Sequence, residues 1–178
     1  MSTALLAAVV TIAGWYATYT YAKKREDRTR RIEIWLKYRQ RQIEELYGPL
    51  LSLIEQIFNV WRVRENILGS DSASYSRDQQ DQIRNFVWRE YFSPLHREIG
   101  GLLRTKLYLL EDGEMPPSFS AYLEHATQEA CQHRLWDELK LQTSGGTPWP
   151  QDFYDDVKRT LEQLMKEHRS GLENFAPS

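Results

Sequence analysis

The chain has 178 residues, a formal net charge of −2, 41% hydrophobic residues and one cysteine. That length suits one principal domain. The near-neutral charge gives no overall pull toward nucleic acid, and one cysteine excludes an internal disulfide framework.

The first 22 residues, Met1 to Ala22, carry no charged side chain, and "KKREDRTRR" follows at once. A helix rising about 1.5 Å per residue spans a hydrocarbon core of roughly 30 Å over such a stretch. Residues 1–22 are therefore expected to be a transmembrane helix and 23–31 a basic juxtamembrane segment. Its six cations, Lys23, Lys24, Arg25, Arg28, Arg30 and Arg31, suit anionic lipid headgroups and mark the cytoplasmic flank. A cleaved signal peptide would carry its positive charge before the apolar run, not after it. The N-terminus is accordingly expected outside and residues 32–178 in the cytoplasm, a reducing compartment that matches the lone Cys131. Trp15, Tyr16, Tyr19 and Tyr21 fall where aromatic rings favour the headgroup layer.

The expected anchor has two unlike faces. Ala7, Thr11, Gly14 and Thr18 form a small, weakly polar stripe. Leu5, Val9, Ile12, Tyr16 and Tyr19 lie opposite. Small residues let helices approach closely in lipid, so the stripe is the candidate face for self-association or for lining a narrow pore. A plain monomeric anchor whose small residues fall this way by chance is the alternative.

Residues 32–178 read as an all-α helical domain. Leu36, Ile43, Tyr47, Leu50, Ile54, Ile57, Trp61 and Leu68 lie close to a seven-residue repeat, which Leu46, Leu53 and Val60 widen. That width suits packing against several helices. Pro49 lacks an amide hydrogen, so a kink or restart is expected at Gly48–Pro49. "GSDSAS" (69–74) reads as a loop. Ile83, Phe86, Val87 and Tyr91 give the next helical face. Ser93 is then expected to cap a helix with Pro94 at its first position, continuing through Leu95, Ile99, Leu102, Leu103, Leu107 and Leu110. "EDGEMPPS" breaks the chain before a helix through Phe119, Leu123, Ala126, Ala130 and Leu135. "TSGGTPWP" precedes a last helix with Phe153, Val157, Leu161 and Leu164. No run sustains the two-residue alternation of a strand. The stretches "YGPLLSLIEQIF" and "YFSPLHREIGGLL" share an aromatic, a proline and a long apolar-faced helix.

Two constellations bear on chemistry. Arg89 and His96, in "REYFSPLH", have a spacing similar to the Arg–His motif of HEPN ribonucleases, in which His acts as acid or base and Arg steadies charge on phosphorus. Pro94 falls inside that motif, and the bland reading is a solvated Arg beside a first-turn His. His125, Glu129 and His133, with Asp137 beyond, share one side of a helix and are metal-ligand types. Compact zinc-site spacing is absent and Cys131 has no partner cysteine, so the bland reading is a polar helix face. The expectation is no metal, no cofactor and no enzymatic activity. The large aromatics, Trp35, Trp61, Trp88, Trp136 and Trp149, read mainly as packing residues.

"IEELYGPL" after an N-terminal anchor, then "YFSPLHREI", "MPPSF", "LEHATQE" and "PWPQDFYDDV", resemble a loose set of small single-pass bacterial membrane proteins. The resemblance implies fold and topology: an inner-membrane anchor and a cytosolic helical bundle. The architecture is also similar to the membrane accessory proteins of Cas13b-type CRISPR loci, through the span and the Arg89/His96 pair. That similarity implies a pore-forming or membrane-perturbing effector of bacterial antiviral defence. The leading expectation is a membrane-anchored helical protein acting by homo-oligomerisation. The alternatives are a tether or scaffold recruiting a cytosolic partner, and an anchored HEPN-like ribonuclease. Nucleic acid is not among the expected partners.

Overall fold

The computed structural model describes residues 3–70, 75–110, 113–141 and 146–174, with side chains from residue 11 onward except Ser70. The described residues are all-α. Six helices appear among them: α1 (Thr3–Gln42), α2 (Gly48–Ser70), α3 (Arg77–Val87), α4 (Ser93–Thr105), α5 (Pro117–Leu139) and α6 (Gln151–Glu173). A short 3-10 turn, Leu107–Leu109, follows α4. The chain divides into two compact units: α1 to Gln40 with α6 from His168, and residues 41–167.

In the first unit, α1 and the end of α6 meet at Gly171. A Cβ there would stand 2.6 Å from Leu36 Cδ2 and 2.9 Å from Trp35 Cζ3. Leu36 is therefore set by α6, not by the repeat that runs on into α2. The cations from Lys23 to Arg31 are all helical and exposed. Among the described residues, no helix is long and apolar enough to cross a membrane. The charge-free stretch begins in residues 1–10, whose side chains lie outside the described residues. Its described remainder, residues 11–22, would extend about 18 Å as helix, short of a core of roughly 30 Å. The transmembrane assignment of residues 1–22 thus rests on sequence alone.

In the second unit, the expected break at Gly48–Pro49 is a wide turn. Ile43–Tyr47 forms a π-helical turn, and the Gly48 amide bonds to the Ile43 carbonyl five residues back. Trp88–Phe92 repeats this before Pro94, with the Ser93 amide bonded to the Trp88 carbonyl. A proline offers no amide hydrogen and crowds the carbonyl four residues before it, and a wider turn relieves both. The two echoing sequences thus share a backbone device. Ser93 corrects an expectation: it has helical dihedrals (φ −57°, ψ −43°), and the turn runs through it with no side-chain cap. The start of α3 does carry a side-chain cap. Ser76 accepts from the Gln79 amide and the Gln79 side chain accepts from the Ser76 amide, a reciprocal capping box.

The core of this unit gathers Leu46, Leu50 and Ile54 with Ile99, Leu103, Leu109, Phe119, Tyr122, Phe153 and Val157. Tyr122 stacks on Phe153 at 4.3 Å and Phe119 meets Phe153 edge-on at 5.0 Å, so α5 and α6 interlock through rings. Gln42 is fully buried, and its Nε2 donates to the Leu109 carbonyl at 2.7 Å. At the surface Glu45 accepts from Arg41 at 2.8 Å and Lys106 at 2.6 Å. Trp61 departs from the expected core stripe, being 51% exposed. The α5 face is also turned: Phe119, Tyr122 and His125 are buried, whereas Ala130 is exposed.

Two outcomes follow. A Cβ on Gly48 would lie 2.7 Å from the Ile43 carbonyl oxygen, the very acceptor of the wide turn. Gly48→Ala should therefore lower the melting temperature, whereas Gly100→Ala, with nothing within 4 Å, should raise stability by about 0.5–1 kcal/mol. Thermal unfolding by circular dichroism checks both. For Glu45, hydrogen bonds from Arg41 and then Lys106 hold its carboxyl down, to about 2. A depressed folded-state pKa stabilises above the unfolded value and loses that contribution as pH falls through the folded one. Between about pH 4.5 and pH 2 the parent should lose stability more steeply than Glu45→Gln. Equal acid limbs in chemical unfolding would contradict this.

Candidate functional site

A cleft of about 820 Å³ opens in the second unit. The second π-helical turn positions one wall. Trp88 and Phe92 lie in it and His96 one turn beyond, and all three are buried. Their rings touch in series, with Trp88 5.4 Å and Phe92 6.5 Å from His96. The facing wall is α5, where Tyr122, His125, Glu129 and His133 follow at helical spacing on one side. His133 lies flat against Trp88 at 4.3 Å, which ties the walls together. Trp149 closes a third side, edge-on to His125 at 5.5 Å.

Three polar side chains converge there. His96 Nε2 lies 3.6 Å from Glu129 Oε2, and His125 Nε2 lies 3.8 Å from the same oxygen. The other nitrogen of each ring is held from behind. His96 Nδ1 and the Tyr122 hydroxyl are 2.8 Å apart. His125 Nδ1 lies 2.7 Å from the Thr147 carbonyl. A carbonyl can only accept, so His125 Nδ1 carries the proton. Thr147 is held in turn by Gln128, whose Oε1 accepts from the Thr147 amide at 2.9 Å and from its hydroxyl.

Burial governs the charges. It pushes His96 down to about 4, with His125 adding to the shift, so His96 is neutral at physiological pH. Burial raises the Glu129 carboxyl, against the opposing pull of His125 and Arg64. It raises the Tyr122 hydroxyl, with Glu129 contributing, and lowers His133. Arg64 of α2 lines the same cleft, paired with Glu65 at 3.1 Å and lying 5.4 Å over the Phe92 ring.

His96, from the Arg–His pair, and His125 with Glu129, from the metal-type spacing, thus belong to one site. Arg89 does not join them. Its guanidinium is exposed and paired with Glu90 at 2.8 Å. Asp137 is exposed at the end of α5. Tyr122, Thr147, Trp88 and Arg64 carry no site signal in the sequence patterns above. Tyr122 was within reach, three residues before His125 on the same face. Thr147 was not, because only the fold brings it across. Of the small stripe, Thr11, Gly14 and Thr18 are exposed on α1, while Ala7 lies outside the described side chains. Comparison with protein families, curated proteins and solved structures finds no match to this chain.

The geometry separates the two halves of the Arg–His pair by their consequences. Tyr122→Phe removes the partner of a buried imidazole nitrogen and should cost about 1–3 kcal/mol. Arg89→Ala breaks only an exposed pair and should change stability by less than about 1 kcal/mol. Denaturant unfolding of both variants measures the difference, and a larger loss for Arg89→Ala would overturn this assignment.

Proposed function

We propose that the chain is a single-pass protein of the bacterial inner membrane, N-terminus outside, that acts by homo-oligomerisation and carries its helical domain in the cytoplasm. One observation carries the reading. Ile12, Trp15, Tyr16, Tyr19 and Tyr21 are each 64–78% exposed on α1, and the same unbroken helix then enters the six-cation block. A run of bulky apolar and aromatic side chains facing outward beside a basic flank matches a headgroup-level boundary. The uncharged residues before it supply the apolar length. The exposed Lys23, Lys24, Arg25, Arg28, Arg30 and Arg31 would meet anionic headgroups, each contributing about 1 kcal/mol near the surface.

The stripe Thr11, Gly14, Thr18, continued by Ala7 in sequence, supports self-association through close approach. A Cβ on Gly14 would meet nothing within 4 Å. The Thr18 hydroxyl donates to the Gly14 carbonyl at 2.8 Å within its own helix, so the stripe offers small size more than hydrogen bonding. Assembly of several anchors would give a pore or a local perturbation of the bilayer, the output expected of a defence effector. A second reading, a scaffold for a cytosolic partner, is favoured by a groove of about 910 Å³ between α2 and α3, where Val63, Ile67, Phe86 and Tyr91 are exposed. The ribonuclease reading draws no support from the exposed Arg89.

Gly14→Leu is the test. It adds bulk on the small stripe while making the anchor more apolar, so membrane insertion should be kept. Oligomer size in mild detergent should fall, and leakage from expressing cells should fall with it. A C-terminal reporter fused after Ser178 checks orientation in the same strains. Unchanged size and leakage with normal insertion would leave the anchor a tether and favour the scaffold.

A further inference from the structure

We propose that His96, His125 and Glu129 form a binding site for a transition-metal dication of the zinc type, with its remaining coordination position open to the cleft. The site does not depend on the membrane reading, since its ligands all lie within the second unit.

The ligand atoms are already gathered. One atom from each residue lies within 4.8 Å of the others, and both imidazole Nε2 atoms approach the same Glu129 oxygen at 3.6 and 3.8 Å. Ligands about 2.0–2.1 Å from a tetrahedral zinc stand about 3.3 Å apart, so each imidazole need approach the carboxylate oxygen by only a few tenths of an ångström, and the widest separation in the trio, within 4.8 Å, closes by no more than about 1.5 Å. His125 and Glu129 are four apart on one helix, a spacing that chelates, and His96 arrives from α4. One ion would therefore tie α4 to α5.

The tautomer argues further. Because His125 Nδ1 donates to the Thr147 carbonyl, Nε2 is the ring nitrogen left to give its lone pair to a metal, and it faces a carboxylate oxygen. Two electron-rich atoms facing each other gain from a cation between them. The Thr147 carbonyl behind His125 and the Tyr122 hydroxyl behind His96 are the outer partners that orient metal-bound imidazoles. Two imidazoles and a carboxylate form a zinc donor set, whereas magnesium and calcium take oxygen ligands. The opposing charge is Arg64. Beside a dication with one carboxylate ligand, it favours an anionic oxygen, such as hydroxide, in the open position.

The experiment uses the tag-free full chain in mild detergent, stripped with a chelator and dialysed, then titrated with Co²⁺ and Zn²⁺. The parent should show the visible bands of four- or five-coordinate cobalt, bleached by zinc, with one zinc retained per chain. Zinc should also raise its melting temperature. His125→Ala and Glu129→Ala should each weaken zinc binding by more than about ten-fold. His168→Ala, which alters a histidine of α6 outside the cluster, should not. Glu129 is partly exposed, so Glu129→Ala decides the matter if His125→Ala fails to fold by circular dichroism. A folded parent that gives no cobalt bands and retains no zinc overturns the proposal, as does binding that survives Glu129→Ala or falls equally with His168→Ala.

Discussion

A proline has no amide hydrogen to give, and the second unit is arranged around that fact. Pro49 and Pro94 each follow a π-helical turn that inserts a residue into the helical count. An α-helix advances about 100° per residue, so seven positions return to nearly the same face and eight overshoot by about 80°. With one residue inserted, eight positions behave as seven. Trp88 and His96 are eight apart and face one cleft, and Gln42 and Leu50 are eight apart and both fully buried. Arg89 and His96, seven apart, are thrown out of phase. The same turn brings His96 to α5 and sends Arg89 to solvent.

This phase shift marks the limit of what the sequence made legible. The all-α class and the buried residues Leu50, Ile54, Ile57, Ile99, Leu103, Phe153 and Val157 follow from apolar spacing within single helices, and Pro49 marks the break, whose wide turn lies just before it at Ile43–Tyr47. Spacing carried across a π-helical turn misleads. Ile43, seven before Leu50, is only half-buried, while Gln42 takes the interior place and satisfies its amide on the Leu109 carbonyl. In α5 the apolar residues are spread around the helix, so pattern alone did not orient it, and the face that looked polar is the one turned inward. His96 and His125 were each visible as isolated signals. Their meeting was not, because it depends on how α4 packs on α5.

The cleft combines two chemistries that rarely share a wall. Stacked rings, with His133 flat on Trp88 and Tyr122 on Phe153, exclude water and stiffen the frame. Within that frame His96 stays neutral, and each imidazole is oriented by an oxygen behind it, the Tyr122 hydroxyl for His96 and the Thr147 carbonyl for His125. Pre-oriented nitrogen beside a desolvated carboxyl is an arrangement that binds, whether the occupant is an ion or a polar group of a larger ligand. The aromatic mass therefore serves the polar trio directly, by holding its dielectric low and its rotamers narrow.

The wide turns also bear on how such a chain can change length. Losing a residue from the middle of a helix ordinarily breaks register and hydrogen bonding together. At Trp88–Phe92 the surplus residue is already out of the regular ladder, so its deletion leaves a plain helical turn that keeps the helix count but again crowds Pro94 against the carbonyl four residues back. The side chains downstream would nonetheless swing by about 100°, carrying His96 away from α5. A single-codon deletion here thus strikes twice, straining the helix at Pro94 and dismantling the cleft.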